Sequence, residues 1–535
     1  MYDVLWIKRL GLTIHGTIID TMVVTALVNE NRFRFDLNSV AKEYTGMGKN
    51  ENSLQEAAKE WGIDPKAEMY KLPSLFVGEY AERDAEITLA LWQELKKEVK
   101  IQNLHSILEL ETNVLPCLVE MKWKGVRIDE GHVSVLEKKF KYIYDECLKA
   151  VKKQTGIYPE IWAARSIAKV CEQLGIKDYE RTPKTQAPSF TKNWLFNHSD
   201  RTLRNIASAR TADKLRSTFI DTIKNYVVNG KIHADINQLK GDQGGTLTGR
   251  LSYARPNLQQ LPNYNDYGEG IRSLFLPNSK KERWGCFDYS QQEPRLVVHY
   301  ALRTPGITGI SEIAKEDKAK DATADFHQLV AKIARIERRE AKTINLGLFY
   351  GMGQAKLQTQ LGINSEVEAK ALIRKYHLKV PFVKQLMNSV MDRAQDSGQI
   401  RTIGGRLCRF NKWEPKDWDR RELYDTWEQA ARENGRGNVK RAFTYKALNR
   451  LIQGSAADMT KKAMINLFNE NIIPLTQLHD ELNISIESPE QVDKVIKIME
   501  EAFPLEIPNK VDYEDGENWG SINKEEENPV DKNFF

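Results

Sequence analysis

Apolar positions recur every three or four residues through EYAERDAEITLALWQELKKEV, and again through LHSILELETNVLPCLVEM and HVSVLEKKFKYIYDECLKAVKKQ. That spacing predicts amphipathic helices, and Lys and Arg are frequent on their polar faces. The first helix follows short apolar runs (TIIDTMVVTALV), so residues 1–98 read as a small α/β unit, whereas helices without a local sheet are expected up to residue 240. The Gly, Thr, Asn and Pro content of GDQGGTLTGRLSYARPNLQQLPN, Gly241 to Asn263, marks an ordered loop. RWGCFDYSQQEPRLVVHYAL then reads as a strand that ends at Asp288 and turns into a helix. Residues 325–440 return to helical spacing. After Asn471, two β-like runs, IIPLTQL and LNISI, are joined by His479, Asp480 and Glu481. Acids are thus placed at strand ends in two segments distant along the chain.

Composition narrows the class. The 535 residues include 79 Lys or Arg and 74 Asp or Glu, a formal charge of +5, with 41% hydrophobic and 29% charged residues. This is globular protein, not a disordered, collagen-like or membrane chain. The length suggests about three or four domains, and no internal repeat points to a solenoid. A small net charge is compatible with a nucleic-acid partner when a basic groove faces an acidic site. Five scattered cysteines without C-x-x-C spacing read as free thiols in a reducing compartment. With no signal-peptide order and no apolar run of about 18 residues, a cytoplasmic protein with no membrane partner is expected.

If the strands ending at Asp288 and Asp480 are neighbours, two carboxylates meet at one edge, where like charges require protonation or bound cations. Mg²⁺ is the natural partner of such oxygens; the alternative is that each Asp is an ordinary turn residue. Within RREAKTINLGLFYG, residues Arg338, Lys342, Leu346 and Tyr350 are spaced by four and share one helix face. Two cations at that spacing cost roughly 0.2–0.5 kcal/mol in an isolated helix. A triphosphate over them, with base and sugar on Leu346 and Tyr350, fits the order of the face, whereas a solvated basic face leaves the apolar pair unexplained. Ser290 and Glu293 also form S-x-x-E, the pattern of a capping box.

DYSQQEPRLVVHYA resembles motif A of the family A DNA polymerases, the DNA polymerase I family; RREAKTINLGLFYG resembles motif B and LHDEL motif C. TLTGRLSYARPNLQQLP, ALNRLIQGSAADMTKKAM and DYEDGENW agree in order, so the resemblance runs from Leu110 to Trp519. It implies an α/β multidomain protein with a right-hand polymerase fold: a palm with an antiparallel sheet, and helical thumb and fingers. The implied division is 99–240 connecting helices and thumb, 241–324 palm with motif A, 325–440 fingers, and 441–535 palm with motif C. It implies template-directed addition of dNTPs to a primer on primer-template DNA with two Mg²⁺ ions, for which Mn²⁺ is a possible substitute. Asp288, Asp480 and the Tyr289 carbonyl would hold the metals. Lys342 would protonate the pyrophosphate, with His327, Arg338, Gln291, Leu346 and Tyr350 around the nucleotide and Glu293 as the gate against a ribose 2′-hydroxyl. Lys214, Arg250, Asn257, Gln259, Arg272, Asn449, Gln453 and His479 would touch DNA.

The resemblance also marks departures. MYDVLWIKRLGL and EYAERDAEIT resemble the second and third motifs of the family's 3′-5′ exonuclease, a partial ribonuclease H-like domain over residues 1–98, giving Asp3, Tyr80 and Asp84. The D-x-E strand that supplies the remaining acids would precede Met1, so this chain is expected not to proofread. A separate polypeptide supplying that strand, a truncation, and a purely structural remnant all stay open. The short stretch between His327 and Arg338, the QQEPR variant and Leu346 in place of an aromatic ring resemble a phage-encoded polymerase, and so a host cytoplasm. Two alternatives remain: a single-subunit RNA polymerase and a non-catalytic DNA-binding subunit.

Overall fold

The computed structural model describes residues 1–262, 268–319, 325–349, 352, 354–363, 365–417 and 422–522. Residues 1–101 contain helices and no strand: α1 (Tyr2–Arg9), α2 (Thr21–Val28), two shorter helices and α3 (Ser74–Ile101) among them. The α/β expectation for this stretch is therefore corrected. The apolar run that suggested a strand is α2, started by the Asp20 carboxylate, which accepts from the Met22 and Val23 N–H groups. Its residues from Val23 to Val28 are all buried, so a short helix enclosed on every side imitates a strand.

Helix α4 (His105–Lys124) leads to α5 (Glu130–Thr155) and α6 (Arg201–Lys214). Asp129 caps α5 by accepting from the His132 N–H at 2.9 Å, and Gly156 closes it at φ +75° with Lys152 and Lys153 in the last turn. The α5–α6 pair and its connection bury their own cluster, including Leu148, Val151, Leu195 and Ile206. A small sheet in the order Val227–Val228, Lys231–Ile232, Val126–Ile128, Phe275–Leu276 lies at the base of this pair, within a stretch expected to lack one.

Strand β1 (Arg283–Tyr289) is followed by α7 (Gln292–Arg303), α8 (Phe326–Ala334), α9 (Arg338–Phe349) and α10 (Pro381–Ser397). Two antiparallel strand pairs, Gln399–Arg401 with Leu407–Arg409 and Trp413–Pro415 with Val439–Arg441, correct the all-helical expectation for 325–440. Next come α11 (Ala447–Asn469), β2 (Thr476–Leu478), β3 (Glu481–Ile486), α12 (Pro489–Glu500) and β4 (Val511–Gly516). The four labelled strands form one antiparallel sheet in the order β2-β3-β1-β4. One apolar cluster runs without a break from Val23 through α11 and this sheet to Trp519, so α2 and α3 share a core with the strands.

Candidate active site

Register brings the two predicted acids together. β3 lies antiparallel to β1 with Glu481 opposite Asp288, and β4 flanks β1 on its other side with Asp512 opposite Asp288. Asp480 stands in the turn just before β3, and its carbonyl accepts from the Tyr289 N–H at 3.3 Å. Alternation along β1 sends Phe287 and Tyr289 to the face opposite Asp288; the Tyr289 hydroxyl donates to the Met499 carbonyl on α12 at 2.7 Å, which anchors the strand end. His479 enters the turn at φ +55°, an uncommon conformation for a non-glycine residue. Burial raises the Asp480 carboxyl above the usual range, and the Arg250 cation partly offsets that.

Arg250 also donates to Glu293 at 2.6 Å, joining the TGRLS loop to the first turn of α7. That helix starts after Gln291, at φ +54°, with no side-chain cap, so the capping-box pattern is not used at this N-terminus. Gln291 accepts from the Phe326 N–H at 2.8 Å and ties this corner to α8.

On α9, Arg338 is exposed and Lys342 and Leu346 are half-buried, while the other positions from Ala341 to Phe349 are buried. The expected face is thus the accessible one, and Tyr350 lies outside the described residues. Arg338 donates to Asp325 at 2.7 Å. Burial would raise the Asp325 carboxyl, but the Gln328 N–H and the Arg338 guanidinium outweigh it and hold it low. His327 is 5% exposed, its Nδ1 3.0 Å from the Asn345 amide, which in turn accepts from the Tyr376 hydroxyl. This buried chain links α8 to α9 through His327.

Asn449 and Gln453 lie one turn apart on the accessible stripe of α11 and make no side-chain hydrogen bond to the described residues. Gly454 packs against Thr402, and a Cβ there would come within 3.4 Å of the Thr248 carbonyl, which seats this stripe beside the TGRLS loop. Lys214 is exposed at the end of α6. Asn257 caps the turn Leu258–Gln260, and Gln259 bonds the Leu251 and Gln477 carbonyls at 3.3 and 3.2 Å, so both brace the loop. Arg272 is buried, with its guanidinium over the Trp519 ring at 4.6 Å.

Sequence reasoning missed the support beneath the loop. Arg406 donates to Glu111 and Asp458, and Lys461 donates to Glu111 at 2.7 and 2.9 Å, all four groups being buried. Gly249, at φ +88°, rests on this network; a Cβ would fall 2.5 Å from the Arg406 guanidinium, so only glycine fits. The signal was legible: Glu111 stands in the apolar stripe Ile107, Leu110, Val114, Leu118, where a lone charge demands a buried partner. In the N-terminal unit, Lys49 donates to the Tyr80 hydroxyl at 3.0 Å and to Asp84 at 2.6 Å, while Asp3 is exposed. Burial lowers the Lys49 ammonium, but Asp84 and Tyr80 more than restore it.

The model of DNA polymerase family A matches residues 132–521. The chain belongs to DNA polymerase family A. It is a DNA polymerase, and the family uses divalent metal ions. As a family A member it also carries an N-terminal 3′-5′ exonuclease match over residues 1–100. The DNA-directed DNA polymerase of Pseudomonas phage M6 is 34% identical over 94% of this chain and 79% of its own length. DNA polymerase I of Geobacillus stearothermophilus is 29% identical over 96% of this chain and 56% of its own length. Among solved structures, the POL domain of Pol1 from M. smegmatis, in complex with DNA primer-template and dNTP, gives a TM-score of 0.74 at 26% identity, covering 96% of this chain and 84% of that one. Such a neighbour agrees with a right-hand polymerase fold. No helix among the described residues of this family A polymerase is long and apolar enough to cross a membrane.

Proposed function

We propose that the chain extends a primer on template DNA by in-line attack of the 3′-hydroxyl on a dNTP, with two Mg²⁺ ions held by Asp288, Asp480 and the Tyr289 carbonyl. The observation that carries this reading is the β1–β3 register, which sets two carboxylates at one sheet end. Among the described residues no set of three or more His, Cys, Asp or Glu forms a metal cage. Two carboxylates and a carbonyl still suit Mg²⁺, which takes the rest of its shell from water and substrate phosphates. When bound, the metal stabilises charge on both the attacking and the leaving oxygen.

The chain's own groups do the rest. Arg338 and Lys342 bind the triphosphate, and Lys342 donates a proton to the departing pyrophosphate. Glu293, held by Arg250, blocks the ribose 2′ position. Lys214, Asn449, Gln453 and His479 meet the duplex through contacts that carry no sequence information. The division at 98, 240, 324 and 440 is retained as the grouping of these roles. The direct test is extension of a labelled primer with and without Mg²⁺, with dNTPs against NTPs; extension with NTPs alone, or in the absence of divalent ions, overturns the reading.

Glu293→Ala is expected to raise ribonucleotide relative to deoxynucleotide incorporation by roughly 10- to 200-fold, the range over which a pocket rejects a small extra group. Glu293→Gln, which keeps the volume, should not. If the kcat/KM ratio for GTP against dGTP is the same in all three proteins, Glu293 is no gate. Leu346, one turn beyond Lys342, lacks a hydroxyl to replace the missing 3′-hydroxyl of a dideoxynucleotide. The unpaired polar group costs about 1–3 kcal/mol, so discrimination of roughly five- to 150-fold is expected, and Leu346→Tyr should weaken it. An unchanged dTTP to dideoxy-dTTP ratio would place Leu346 away from the sugar.

We also propose that this chain does not proofread, because Lys49 already neutralises Asp84. A polypeptide bringing in a carboxylate-bearing strand would have to displace that lysine to build a metal site. Mg²⁺-dependent 3′-5′ digestion of a mismatched primer is expected to stay at background; digestion that Asp84→Ala removes would refute this.

A further inference from the structure

Just before α11 the chain turns a sharp corner. Phe443 adopts φ +62°, a conformation that is costly for a bulky residue and persists only when its surroundings enforce it. The enforcement is visible: the Gln395 side-chain amide donates to the Arg441 carbonyl at 3.0 Å and to the Thr444 hydroxyl at 2.7 Å, and its oxygen accepts from the Arg441 N–H at 2.9 Å. The corner holds Phe443 and Tyr445 around one cation, with Lys446 Nζ 5.1 and 5.5 Å from the two ring centroids. Tyr445 is 49% exposed and Lys446 is exposed. Lys446 is in no ion pair among the described residues.

The position of this corner matters as much as its composition. Tyr445, Asn449 and Gln453 are spaced by four and continue one accessible stripe; from Ala447 to Gly454 the other positions of α11 are buried except the half-buried Arg450. From Gln453, beside the TGRLS loop, to Tyr445 the stripe covers roughly 12 Å at 1.5 Å per residue. That is about three nucleotides of strand.

We propose that Tyr445 and Lys446 form a stacking platform for unpaired template bases. A rigid aromatic face paired with a cation fits single-stranded nucleic acid, whose bases offer free π-faces and whose backbone offers phosphate. Duplex bases are already stacked and offer none. In the primer-template substrate of the proposed reaction, the unpaired bases are those of the template beyond the primer end, so the identity of the strand rests on that reading.

The test is the affinity of the full chain for fluorescent primer-templates whose template strand has a 5′ overhang of either none or about eight nucleotides. Tyr445→Ala should weaken binding to the overhang DNA by about five- to 150-fold, leave the blunt duplex unaffected, and be rescued by Tyr445→Phe. Lys446→Ala should lower the salt dependence on overhang DNA by about 0.7 in log–log slope, one phosphate contact on a single strand. Equal affinity of wild type and Tyr445→Ala for overhang DNA, or an equal loss on blunt duplex, overturns the platform. Primer extension by the wild type, run alongside, separates that outcome from failure of the polymerase reading, which would abolish extension in every protein.

Discussion

Asp288→Asn and Asp480→Asn are each expected to lower single-turnover primer extension by about 10³-fold or more, with primer-template affinity nearly unchanged. The magnitude follows because charge stabilisation of this type supplies several kcal/mol, and each 1.36 kcal/mol is a decade in rate. Affinity survives because most of the proposed duplex contacts, Lys214 on α6 and Asn449 and Gln453 on α11, lie away from the two carboxylates. Stability supplies an independent check on Asp480. Burial raises its folded-state carboxyl above the unfolded value, so at neutral pH the ionised form costs stability that the neutral form does not. In EDTA, Asp480→Asn should therefore melt at or above the wild-type temperature, and the gap should close as pH falls through the raised value and the wild-type carboxyl becomes protonated. A variant that is inactive and also less stable would point to a structural role. A variant with wild-type extension would remove the two-metal assignment.

Sequence periodicity revealed what depends on local spacing and failed where tertiary burial overrides it. The four-residue rhythm of Arg338, Lys342 and Leu346 is intrinsic to a helix, and the accessible face of α9 is the one it marks. Strand ends at Asp288 and Asp480 were equally readable, since the apolar runs before them stop at a charge. α2 was not, because six consecutive buried residues erase the period that distinguishes helix from strand. The short strands of the small sheet and of the two strand pairs in 399–441, two or three residues each, are below what alternation can register. Side-chain partners were the least legible. Nothing in TGRLS announces that Arg250 bonds Glu293, or that His327 is enclosed with Asn345, because these pairings arise from helix packing between distant segments.

Glu111→Ala is expected to destabilise the fold by about 3–5 kcal/mol, the cost of stranding buried charge. In the wild type Arg406 and Lys461 face Glu111 and Asp458 inside the protein, two cations against two anions, with the Gln238 side-chain amide donating to Glu111 and the Gln238 backbone carbonyl accepting from Lys461. Burial would raise the Glu111 carboxyl, yet Lys461 and Arg406 hold it below its ordinary range. The Lys461 ammonium is pushed down to about 8 by the same burial. Removing Glu111 leaves Arg406 with Asp458 but leaves Lys461 without its carboxylate, so the loss falls mainly on the lysine. The double variant Glu111→Leu/Lys461→Met, which deletes both charges and fills the space, should therefore recover most of the lost stability, as apolar replacements of buried pairs often do. Urea unfolding of the three proteins measures both effects. The consequence reaches the active site, because Gly249 rests on the Arg406 guanidinium and Arg250 follows it. Primer extension by Glu111→Ala, assayed where it remains folded, should show a raised KM for primer-template, as the TGRLS loop loses its floor. Wild-type stability in Glu111→Ala would mean that water reaches Lys461, and the rigidity of the loop would then have to come from the Arg406–Asp458 pair alone.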